Sequence, residues 1–363
     1  MDNKIKNIEN QEIENKKILI GMSGGVDSSV AAYLLQKEGY EVVGVTLLLW
    51  DDNNSNKSIE DAKIVCDKLN IKHYVFDCKE EFKKYVVNDF VENYKECKTP
   101  NPCIKCNKFF KFGVMFEVAK KLGIEYIATG HYSRVEYDER YDRYVLRKAN
   151  NERKDQSYFL YNIPSEKLKY VKFPLASYEE KDELRKIAED NNLITARKKD
   201  SQDICFIQDG DYVAFLKENG NLEIKEGNIV NKDGKILGRH KGLISYTIGK
   251  RKGLGIGGGT VYYVTGFNID KNELIVGTED ELYSSKCTIT DVNLMLFDKL
   301  IEDKKVYVKI RYASKPVLAT IKISENNEDI DIIFEEKVKS ITKGQSAVFY
   351  TEDGIVIGGG IIK

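Results

Sequence analysis

The chain carries, close to its N-terminus, the stretch Ile18-Leu19-Ile20-Gly21-Met22-Ser23-Gly24-Gly25-Val26-Asp27-Ser28-Ser29. An apolar strand leads here through a glycine-rich turn into a helix, and such a turn directs backbone N–H groups at a phosphate. No Gly-Lys-Ser/Thr follows, so the turn is not a Walker A loop, and its glycines do not have the spacing Gly-x-Gly-x-x-Gly. We therefore predict a phosphate-binding loop of another class. The simpler alternative is a glycine-rich turn capped by Ser or Asp.

Strand and helix signals alternate through the first half of the chain. Apolar runs typical of strands follow at 42–49, 73–76 and 126–129, and helical patterns occur at 58–69, 80–94 and 109–122. This order predicts an α/β fold with a parallel, doubly wound sheet. Ligands of such a sheet bind at the carboxyl ends of its strands.

The C-terminal part of the chain has a different pattern. Short apolar runs with turn residues between them occur at 261–264, 274–276, 288–290, 306–310, 318–323, 330–334, 346–350 and 355–357. Runs of this length and spacing predict an all-β module, either a barrel or a sandwich. Residues 1–16 are polar and of low complexity, which is typical of a flexible tail.

The overall composition excludes several classes of protein. The 363 residues include 57 Lys and Arg and 58 Asp and Glu, so the formal net charge is −1, and 42% of the residues are apolar. A wholly disordered chain is therefore excluded. No run is long enough for a transmembrane helix, and the N-terminus lacks the apolar core of a secretory signal, so we expect a cytoplasmic protein with no membrane partner. A neutral net charge still permits local basic clusters for nucleic acid, such as 239–241 and 250–252.

The seven cysteines divide into two groups by their surroundings. Three lie in apolar patterns and are expected to be core residues, namely Cys66, Cys78 and Cys287. Cys97 is ambiguous. Three lie in polar or Gly/Pro-rich sequence, namely Cys103, Cys106 and Cys205. We expect Cys106 close to a helix N-terminus, where the helix dipole and neighbouring lysines favour a thiolate. A zinc knuckle is the alternative, but it would need further Cys or His at close spacing.

Further motifs follow in order along the chain. They are Asn101-Pro102-Cys103-Ile104-Lys105-Cys106-Asn107-Lys108, Gly130-His131-Tyr132-Ser133-Arg134, Lys154-Asp155-Gln156-Ser157, Asp200-Ser201-Gln202-Asp203-Ile204-Cys205-Phe206 and Gly249-Lys250-Arg251-Lys252-Gly253. The loop Ser-Gly-Gly-Val-Asp-Ser resembles the pyrophosphate loop of the N-type ATP pyrophosphatases. Together these motifs make the chain similar to the bacterial tRNA-specific 2-thiouridylases, from about residue 16 to the end.

The resemblance implies three domains and a defined reaction. An ATP-pyrophosphatase domain would span residues 17–208, a small central domain 209–278 and an antiparallel β-barrel 279–363. The enzyme would be a tRNA-uridine 2-sulfurtransferase that uses ATP and Mg²⁺ to adenylate the C2 oxygen of the wobble uridine. A cysteine persulfide would then deliver the sulfur. The implied partners are the anticodon stem-loop of tRNA and a separate sulfur-donor protein, because nothing in the chain resembles a desulfurase; we expect a monomer.

The resemblance also assigns roles to individual residues. Cys106 would be the nucleophile and Cys205 would carry the persulfide, so that a Cys106–Cys205 disulfide would remain to be reduced. The ATP contacts would be Gly21, Met22, Ser23, Gly24, Gly25, Val26, Asp27, Ser28, Leu47 and Gly130, with Asp27 also holding the Mg²⁺. The target base would contact Asn101, Pro102 and Cys103. The tRNA would contact His131, Lys154, Asp155, Gln156, Lys250, Arg251, Arg311, Tyr312 and Gln345.

Position 103 departs from the commoner pattern of this family. Many members have Asp where this chain has Cys103, so no general base for Cys106 is assigned. The change creates Cys103-x-x-Cys106, which together with Cys205 could hold a [4Fe–4S] cluster with one open iron. The persulfide mechanism and the cluster mechanism use the same cysteines for different purposes, and we favour the persulfide mechanism.

Two other classes of function share parts of this pattern. An ATP-dependent amide-forming synthetase would use the same ATP loop but would need neither Cys106 nor Cys205. An RNA-binding protein with a vestigial ATP loop would not retain the loop and the cysteines intact. The sequence leaves open which tRNAs are modified and which protein donates the sulfur.

Overall fold

The structure, a computed structural model, describes residues 16–51, 53–198, 204–207, 210–220, 222, 224–257 and 259–363. The predicted tail, apart from residue 16, lies outside the described residues, and so do positions 200–203 of the cysteine motif and the predicted domain boundary at 208–209. The chain divides into two compact units. The first comprises Met1–Tyr85, Cys103–Gln202 and Gly354–Val356, and the second comprises Val86–Pro102, Asp203–Asp353 and Ile357–Lys363.

The helices of the described residues are short. They are α1 (Val26–Lys37), α2 (Asn53–Lys68), α3 (Lys79–Phe82), α4 (Asn88–Lys95), α5 (Pro102–Cys106), α6 (Met115–Lys121), α7 (Lys181–Asp190) and α8 (Tyr212–Gly220). Two π-helical segments, Lys83–Val87 and Asn107–Val114, continue α3 into α4 and α5 into α6. Single π-helical turns inside helices often mark functional sites. The longer of the two follows Cys106 directly.

The first unit is built on a parallel sheet. Its strands are β1 (Lys17–Gly21), β2 (Glu41–Leu48), β3 (Lys72–Asp77), β4 (Tyr126–Ala128) and β7 (Val171–Lys172), and an antiparallel hairpin is formed by β5 (Arg134–Asp138) and β6 (Arg143–Arg147). The strand order in the sheet is β3-β2-β1-β4-β7, and all four pairings are parallel. The predicted doubly wound parallel sheet is therefore confirmed.

Helices cover both faces of this sheet. Ile18 and Ile20 of β1 share a core with side chains of α1, α2 and α7. Leu19, between them, is fully buried and points to the opposite face, because side chains alternate along a strand. Helix α6 packs on β1 and β4. Burial on both faces explains why the central strand reads as a continuous apolar run.

The second unit contains a small mixed sheet. Its strands are β8 (Gly227–Val230), β9 (Ile236–His240), β10 (Tyr263–Asn268) and β11 (Glu273–Gly277), in the order β10-β11-β8-β9. Ile229, Val264 and Leu274 form part of its apolar core. Of the C-terminal runs predicted from the sequence, 274–276 lies in β11 and 261–264 overlaps β10 only at residues 263–264, and both strands belong to this sheet and not to the barrel. Strands β8 and β9 had no clear sequence signal.

The last six strands of the second unit form the predicted antiparallel barrel. They are β12 (Tyr283–Leu294), β13 (Lys304–Lys309), β14 (Val317–Ile323), β15 (Ile330–Lys339), β16 (Ser346–Tyr350) and β17 (Val356–Ile362). The barrel is closed in the order β12-β15-β14-β13-β16-β17. Closure leaves no unpaired sheet edge. Among the described residues, no helix has both the length and the apolar character needed to cross a membrane.

Candidate active site

The phosphate loop lies where the strand order of the sheet reverses. Strands β2 and β3 follow β1 on one side and β4 lies on its other side, so the carboxyl ends of β1 and β4 flank the reversal point. Open α/β sheets bind ligands at this point. Gly21, at the end of β1, and Thr129, directly after β4, both lie here. Leu47 lies at the same edge, close to the end of β2.

The backbone of the loop is held in one conformation. Gly24 has φ +66°, and a Cβ atom there would lie 2.3 Å from the backbone oxygen of Ser58, so only glycine fits. The hydroxyl of Ser28 accepts a hydrogen bond from the backbone N–H of Ser23 at 3.2 Å and lies 3.2 Å from the Ser23 hydroxyl. Helix α1 begins after Gly25 with no side-chain cap. The backbone N–H groups of its first turn are therefore directed at the loop, which suits a phosphate.

The turn after β4 closes this loop from the side. A Cβ atom on Gly130 would lie 2.9 Å from both the carbonyl carbon of Asp27 and the backbone nitrogen of Ser28. Any larger residue would push the β4 turn away from the start of α1. The sequence-predicted contacts Gly21–Ser28 and Gly130 thus come together at one place.

Asp27 is the acidic residue of the loop and has two side-chain partners. The hydroxyl of Tyr132 donates to Asp27 Oδ1 at 3.0 Å, and Lys181 Nζ lies 2.8 Å from the carboxylate. The Asp27 side chain is 32% exposed and the Lys181 side chain 11% exposed. The ion pair is therefore partly shielded, yet the carboxylate remains accessible to a ligand.

A second lysine reaches the other side of the loop. Lys198 Nζ donates to the backbone oxygen of Gly24 at 2.9 Å and to Asp61 Oδ2 at 2.7 Å. Lys181 and Lys198 place two positive charges against a loop whose backbone already suits an anion. In the sequence, Lys181 lies 154 residues after Asp27 and Lys198 lies 174 residues after Gly24. Neither lysine was predicted as a site residue.

The cysteine motif lies on a helix that begins earlier than predicted. The periodicity indicated a helix from residue 109, whereas α5 begins at Pro102, because proline is compatible with the first turn of a helix. Cys103 therefore occupies the first turn, and Cys106 lies one turn further. Cys106 is 8% exposed. Cys106 was expected close to a helix N-terminus, and it is the fifth residue of the helix, whereas Cys103 lies in the first turn.

Cys103 remains accessible to solvent, yet burial by the surrounding protein raises the pKa of its thiol, and the positive charge of Lys111 opposes this shift. Burial also raises the pKa of Cys66 and Cys287 to about 12 and that of Cys78 to about 11. Cys66 and Cys78 are buried as predicted, whereas Cys287 is half-buried.

A histidine connects the β4 turn to the helical segment after Cys106. His131 Nδ1 lies 2.6 Å from the hydroxyl of Thr129, and its Nε2 lies 3.3 Å from Lys111 Nζ. Burial and the Lys111 charge hold the pKa of His131 well below its usual value, so the ring is neutral. A charged lysine can only donate, so Nε2 accepts and Nδ1 carries the proton. Both ring nitrogens of this predicted tRNA contact are thus engaged inside the protein.

The motif Lys154–Gln156 also forms internal bonds. Asp155 is buried and accepts hydrogen bonds from the backbone N–H groups of Ala149 and Ser157, at 3.0 and 3.1 Å. The backbone N–H of Tyr132 donates to Gln156 Oε1 at 2.9 Å. These bonds position the segment next to the β4 turn. Lys154 is half-buried.

Cys205 belongs to the second unit and is exposed. The next residue, Phe206, is buried against Phe90 of α4 and Phe215 of α8, with ring centroids 5.5 and 5.0 Å apart. This aromatic cluster anchors the backbone beside an exposed thiol, and exposure is what a persulfide-carrying cysteine requires.

The predicted basic tRNA contacts of the second unit differ in their surroundings. Lys250 Nζ donates to the backbone oxygen of Ser245 at 2.7 Å and lies 5.0 Å from the ring centroid of Tyr246. Arg251 and Lys252 are exposed. Within the basic run 250–252, Lys250 therefore stabilises the loop, and the next two residues present its charge to solvent.

The predicted barrel contacts lie close to the turn after β15. Arg311 Nη2 donates to the backbone oxygens of Lys339 and Ser340, at 2.9 and 3.2 Å. Tyr312 is 36% exposed. Gln345 Nε2 donates to the backbone oxygen of Thr99 at 2.7 Å. Arg311 and Gln345 thus hold backbone within their own unit, whereas Tyr312 faces solvent.

Within the described part of the chain, no three His, Cys, Asp or Glu side chains are grouped as a metal site. Mg²⁺ has a different requirement, because it is commonly held by one or two carboxylates together with the phosphates of the substrate. The accessible carboxylate of Asp27 beside the phosphate loop fits that requirement.

Three protein-family models match consecutive parts of the chain. Their descriptions are a tRNA methyl transferase HUP domain at residues 16–209, a tRNA methyl transferase PRC-barrel domain at 214–278 and an aminomethyltransferase β-barrel domain at 284–362. The tRNA-specific 2-thiouridylase MnmA of Clostridium beijerinckii is 46% identical over 96% of this chain and 99% of its own length. The chain belongs to the tRNA-specific 2-thiouridylase family.

Another member, the tRNA-specific 2-thiouridylase MnmA of Clostridioides difficile, is 45% identical over 96% of this chain and 98% of its own length. Among solved structures, the U34-tRNA thiolase NcsA of Methanococcus maripaludis with its [4Fe–4S] cluster matches 60% of this chain and 70% of its own, with TM-score 0.37 and 19% identity.

For this member of the thiouridylase family, the residues that sequence reasoning missed had only weak signals. Lys181 occupies the first turn of α7, which begins with a capping box between Glu180 and Glu183. The Glu180-x-x-Glu183 pattern could have predicted the start of the helix, but not its proximity to Asp27. Lys198 lies in a basic run that reads as solvated surface.

Proposed function

We propose that this chain catalyses ATP-dependent 2-thiolation of the wobble uridine of tRNA by way of a cysteine persulfide. One observation carries the proposal. In the turn after β4, Gly130 packs against the phosphate loop. The next residue, His131, contacts Lys111, which lies in the helical segment that follows Cys106. These contacts support an active site in which the phosphate loop and the helical segment that follows Cys106 act together, since both belong to the first unit. The names of the matched models refer to methyl transfer, but the ATP loop and the thiols support sulfur transfer.

The first step activates a poor electrophile. The C2 oxygen of the uracil attacks the α-phosphorus of ATP, the bond to the bridging oxygen breaks, and pyrophosphate leaves. Negative charge develops on the phosphate oxygens in this step. The N–H groups at the start of α1, together with Lys181 and Lys198, lie where they can stabilise that charge. Asp27 is proposed to hold the Mg²⁺ bound to the ATP phosphates, where the ion supplies charge neutralisation.

The second step delivers sulfur to C2. The terminal sulfur of a persulfide on Cys205 attacks C2, and AMP leaves with the former C2 oxygen. The Cys106 thiolate then attacks the Cys205 sulfur, which breaks the sulfur–sulfur bond to the base and leaves 2-thiouridine with a Cys106–Cys205 disulfide. In a variant of this route, Cys106 attacks the persulfide first and releases hydrosulfide, which attacks C2. Either route requires an external thiol reductant to restore both cysteines.

The remaining assignments belong to the same proposal. A sulfur-donor protein charges Cys205, which its exposure supports. The need for ATP and a thiol reductant supports the cytoplasm as the compartment, and the enzyme is proposed to act as a monomer on the anticodon stem-loop. The domain boundaries 17–208, 209–278 and 279–363 are supported by the three matched segments.

The decisive experiment measures the product directly. The purified protein is incubated with unmodified tRNA, ATP, Mg²⁺ and a persulfide donor, and the anticodon nucleosides are analysed by mass spectrometry. We expect 2-thiouridine at the wobble position and one pyrophosphate released per thiolated tRNA. Pyrophosphate release with ammonia and without tRNA would indicate an amide-forming synthetase, and tRNA binding without pyrophosphate release would indicate a vestigial loop.

Lys181→Met removes the ammonium group that is proposed to bind the ATP phosphates. A hydrogen bond to a charged group contributes about 1.5–3 kcal/mol, so we expect the KM for ATP to rise about 10- to 150-fold. The affinity for tRNA should not change. Lys186→Met is the matched control, since Lys186 lies on the same helix but is exposed. Equal KM values for the two variants would show that Lys181 only neutralises Asp27.

Replacing both Arg251 and Lys252 by Ala is expected to weaken tRNA binding and to reduce the slope of log affinity against log salt by about 1–2. Both are exposed, so each can release counterions on contact with phosphate. Titrations at several salt concentrations measure the slope. The control replaces the exposed pair Lys232 and Lys235, which removes the same charge. If both double variants change the slope equally, the run 250–252 has no specific role.

A further inference from the structure

Thr99, which precedes helix α5, forms a hydrogen bond through its backbone N–H and another through its backbone C=O. The N–H of Thr99 donates to the backbone oxygen of Lys343 at 2.8 Å, and the C=O of Thr99 accepts from Gln345 Nε2 at 2.7 Å. Lys343 and Gln345 lie in the turn between β15 and β16 of the barrel, here called the barrel clamp (residues 340–345). All of these residues belong to the second unit.

The barrel clamp is itself firmly attached to the barrel. The N–H of Gly344 donates to the backbone oxygen of Ile362 at 2.9 Å, and the N–H of Ile362 donates to the backbone oxygen of Gln345 at 2.8 Å. The guanidinium of Arg311 donates to the backbone oxygen of Ser340 on the other side. The clamp therefore offers Thr99 a fixed pair of hydrogen-bonding groups.

The fit between the clamp and Thr99 is close. Gly344 has φ +88°, and a Cβ atom there would lie 3.0 Å from the backbone nitrogen of Thr99 and 3.0 Å from Lys98 Cβ. A glycine is thus needed for two reasons, its backbone conformation and the approach of the 98–99 backbone.

Asn101, the first proposed contact of the target base, follows Thr99 by two residues, and α5 with Cys103 and Cys106 begins at Pro102. We propose that the barrel clamp is a positioning element for this segment, and that Gln345 acts through Thr99 by fixing where the base contacts and the cysteine helix begin. The inference rests on the proposed function for its catalytic consequence, but the clamp itself can be tested without activity.

Helix α4 ends at Lys95 in a hydrogen-bonded turn: Cys97 has φ +54°, and the N–H of Lys98 donates to the backbone oxygen of Asn93 at 2.9 Å. Thr99 follows this turn, and its two bonds to the clamp fix the direction in which the chain continues from there into α5. A displacement of about 1 Å at a reacting group can lower a rate by about 10²-fold.

The test compares two glycine-to-alanine variants by amide hydrogen exchange. Gly344→Ala places a methyl group against Thr99, whereas Gly354→Ala is the matched control. Gly354 has φ +83°, so alanine there causes a similar backbone strain. The nearest atom to its added Cβ would be Lys148 Cδ, 3.5 Å away in a flexible side chain. We expect exchange of the Thr99 amide to accelerate at least tenfold in Gly344→Ala and to remain as in the wild type in Gly354→Ala. Equal exchange in both variants would overturn the clamp.

Kinetics then test the catalytic consequence, using Gln345→Met, which keeps the length of the side chain but removes the donor to Thr99. We expect kcat for thiolation to fall about tenfold or more, with the KM for tRNA within twofold of the wild type. A raised KM with unchanged kcat would show that Gln345 binds tRNA directly and would overturn its positioning role. If the wild-type protein itself forms no 2-thiouridine, the proposed function fails, while the exchange experiment still decides whether the clamp exists.

Discussion

Asp27→Asn is expected to reduce tRNA-dependent pyrophosphate release by about 10²- to 10³-fold, the magnitude found when one preorganised electrostatic group is removed from a reaction centre. The amide keeps the size of the side chain and an acceptor for Tyr132, but it removes the charge that pairs with Lys181 and that is proposed to hold Mg²⁺. Affinity for tRNA, measured by filter binding, should be unchanged. A pyrophosphate release rate within twofold of the wild type would refute the assignment of this loop as the ATP site.

Tyr132→Phe is the control for this prediction. It removes only the hydroxyl that donates to Asp27 Oδ1 and leaves the buried ring in place. Because this hydroxyl donates to a charged carboxylate, the bond contributes about 1.5–3 kcal/mol, and we expect a rate loss of at most about 10- to 150-fold. A loss as large as that of Asp27→Asn would mean that the position of the carboxylate, and not its charge, limits the reaction.

Cys106→Ser and Cys205→Ser are each expected to remove 2-thiouridine to below detection while leaving pyrophosphate release within about twofold. A serine hydroxyl is not ionised at neutral pH and cannot carry a persulfide, whereas adenylation of the uracil oxygen needs no thiol. Mass spectrometry of nucleosides and a pyrophosphate assay on the same samples separate the two steps. Full thiolation by Cys205→Ser with a persulfide donor would contradict the persulfide role.

Two further cysteine variants complete that experiment. Cys287→Ser should behave as the wild type, since Cys287 lies in β12 of the barrel and burial raises the pKa of its thiol to about 12. Cys103→Ser should keep much of the thiolation activity if persulfide chemistry operates. Stoichiometric iron in protein purified without oxygen, lost together with activity in Cys103→Ser, would instead support the cluster mechanism.

Much of the fold could be predicted because its signals are local. The strand–turn–helix at Ile18–Ser29 and the alternation of apolar strands with helices depend on periodicities within ten to fifteen residues, and all appear in the structure. The helix predicted from residue 109 begins seven residues earlier, at Pro102, which the periodicity missed because residues 102–108 carry no apolar helical repeat. Strands β8 and β9 were missed because they are short and only partly buried, so they lack an alternating apolar pattern.

The amino-acid sequence by itself determined the doubly wound sheet, the phosphate loop and the order of the cysteine and basic motifs, because each depends on residues adjacent in the chain. Only the tertiary structure decided which side chains meet these motifs. Lys181 and Lys198 reach the loop from 154 and 174 residues away, and Gln345 holds Thr99 across 246 residues. A hydrogen bond between such distant residues depends on how the folded chain brings them together, and no local pattern of charge or polarity distinguishes these side chains from solvated ones.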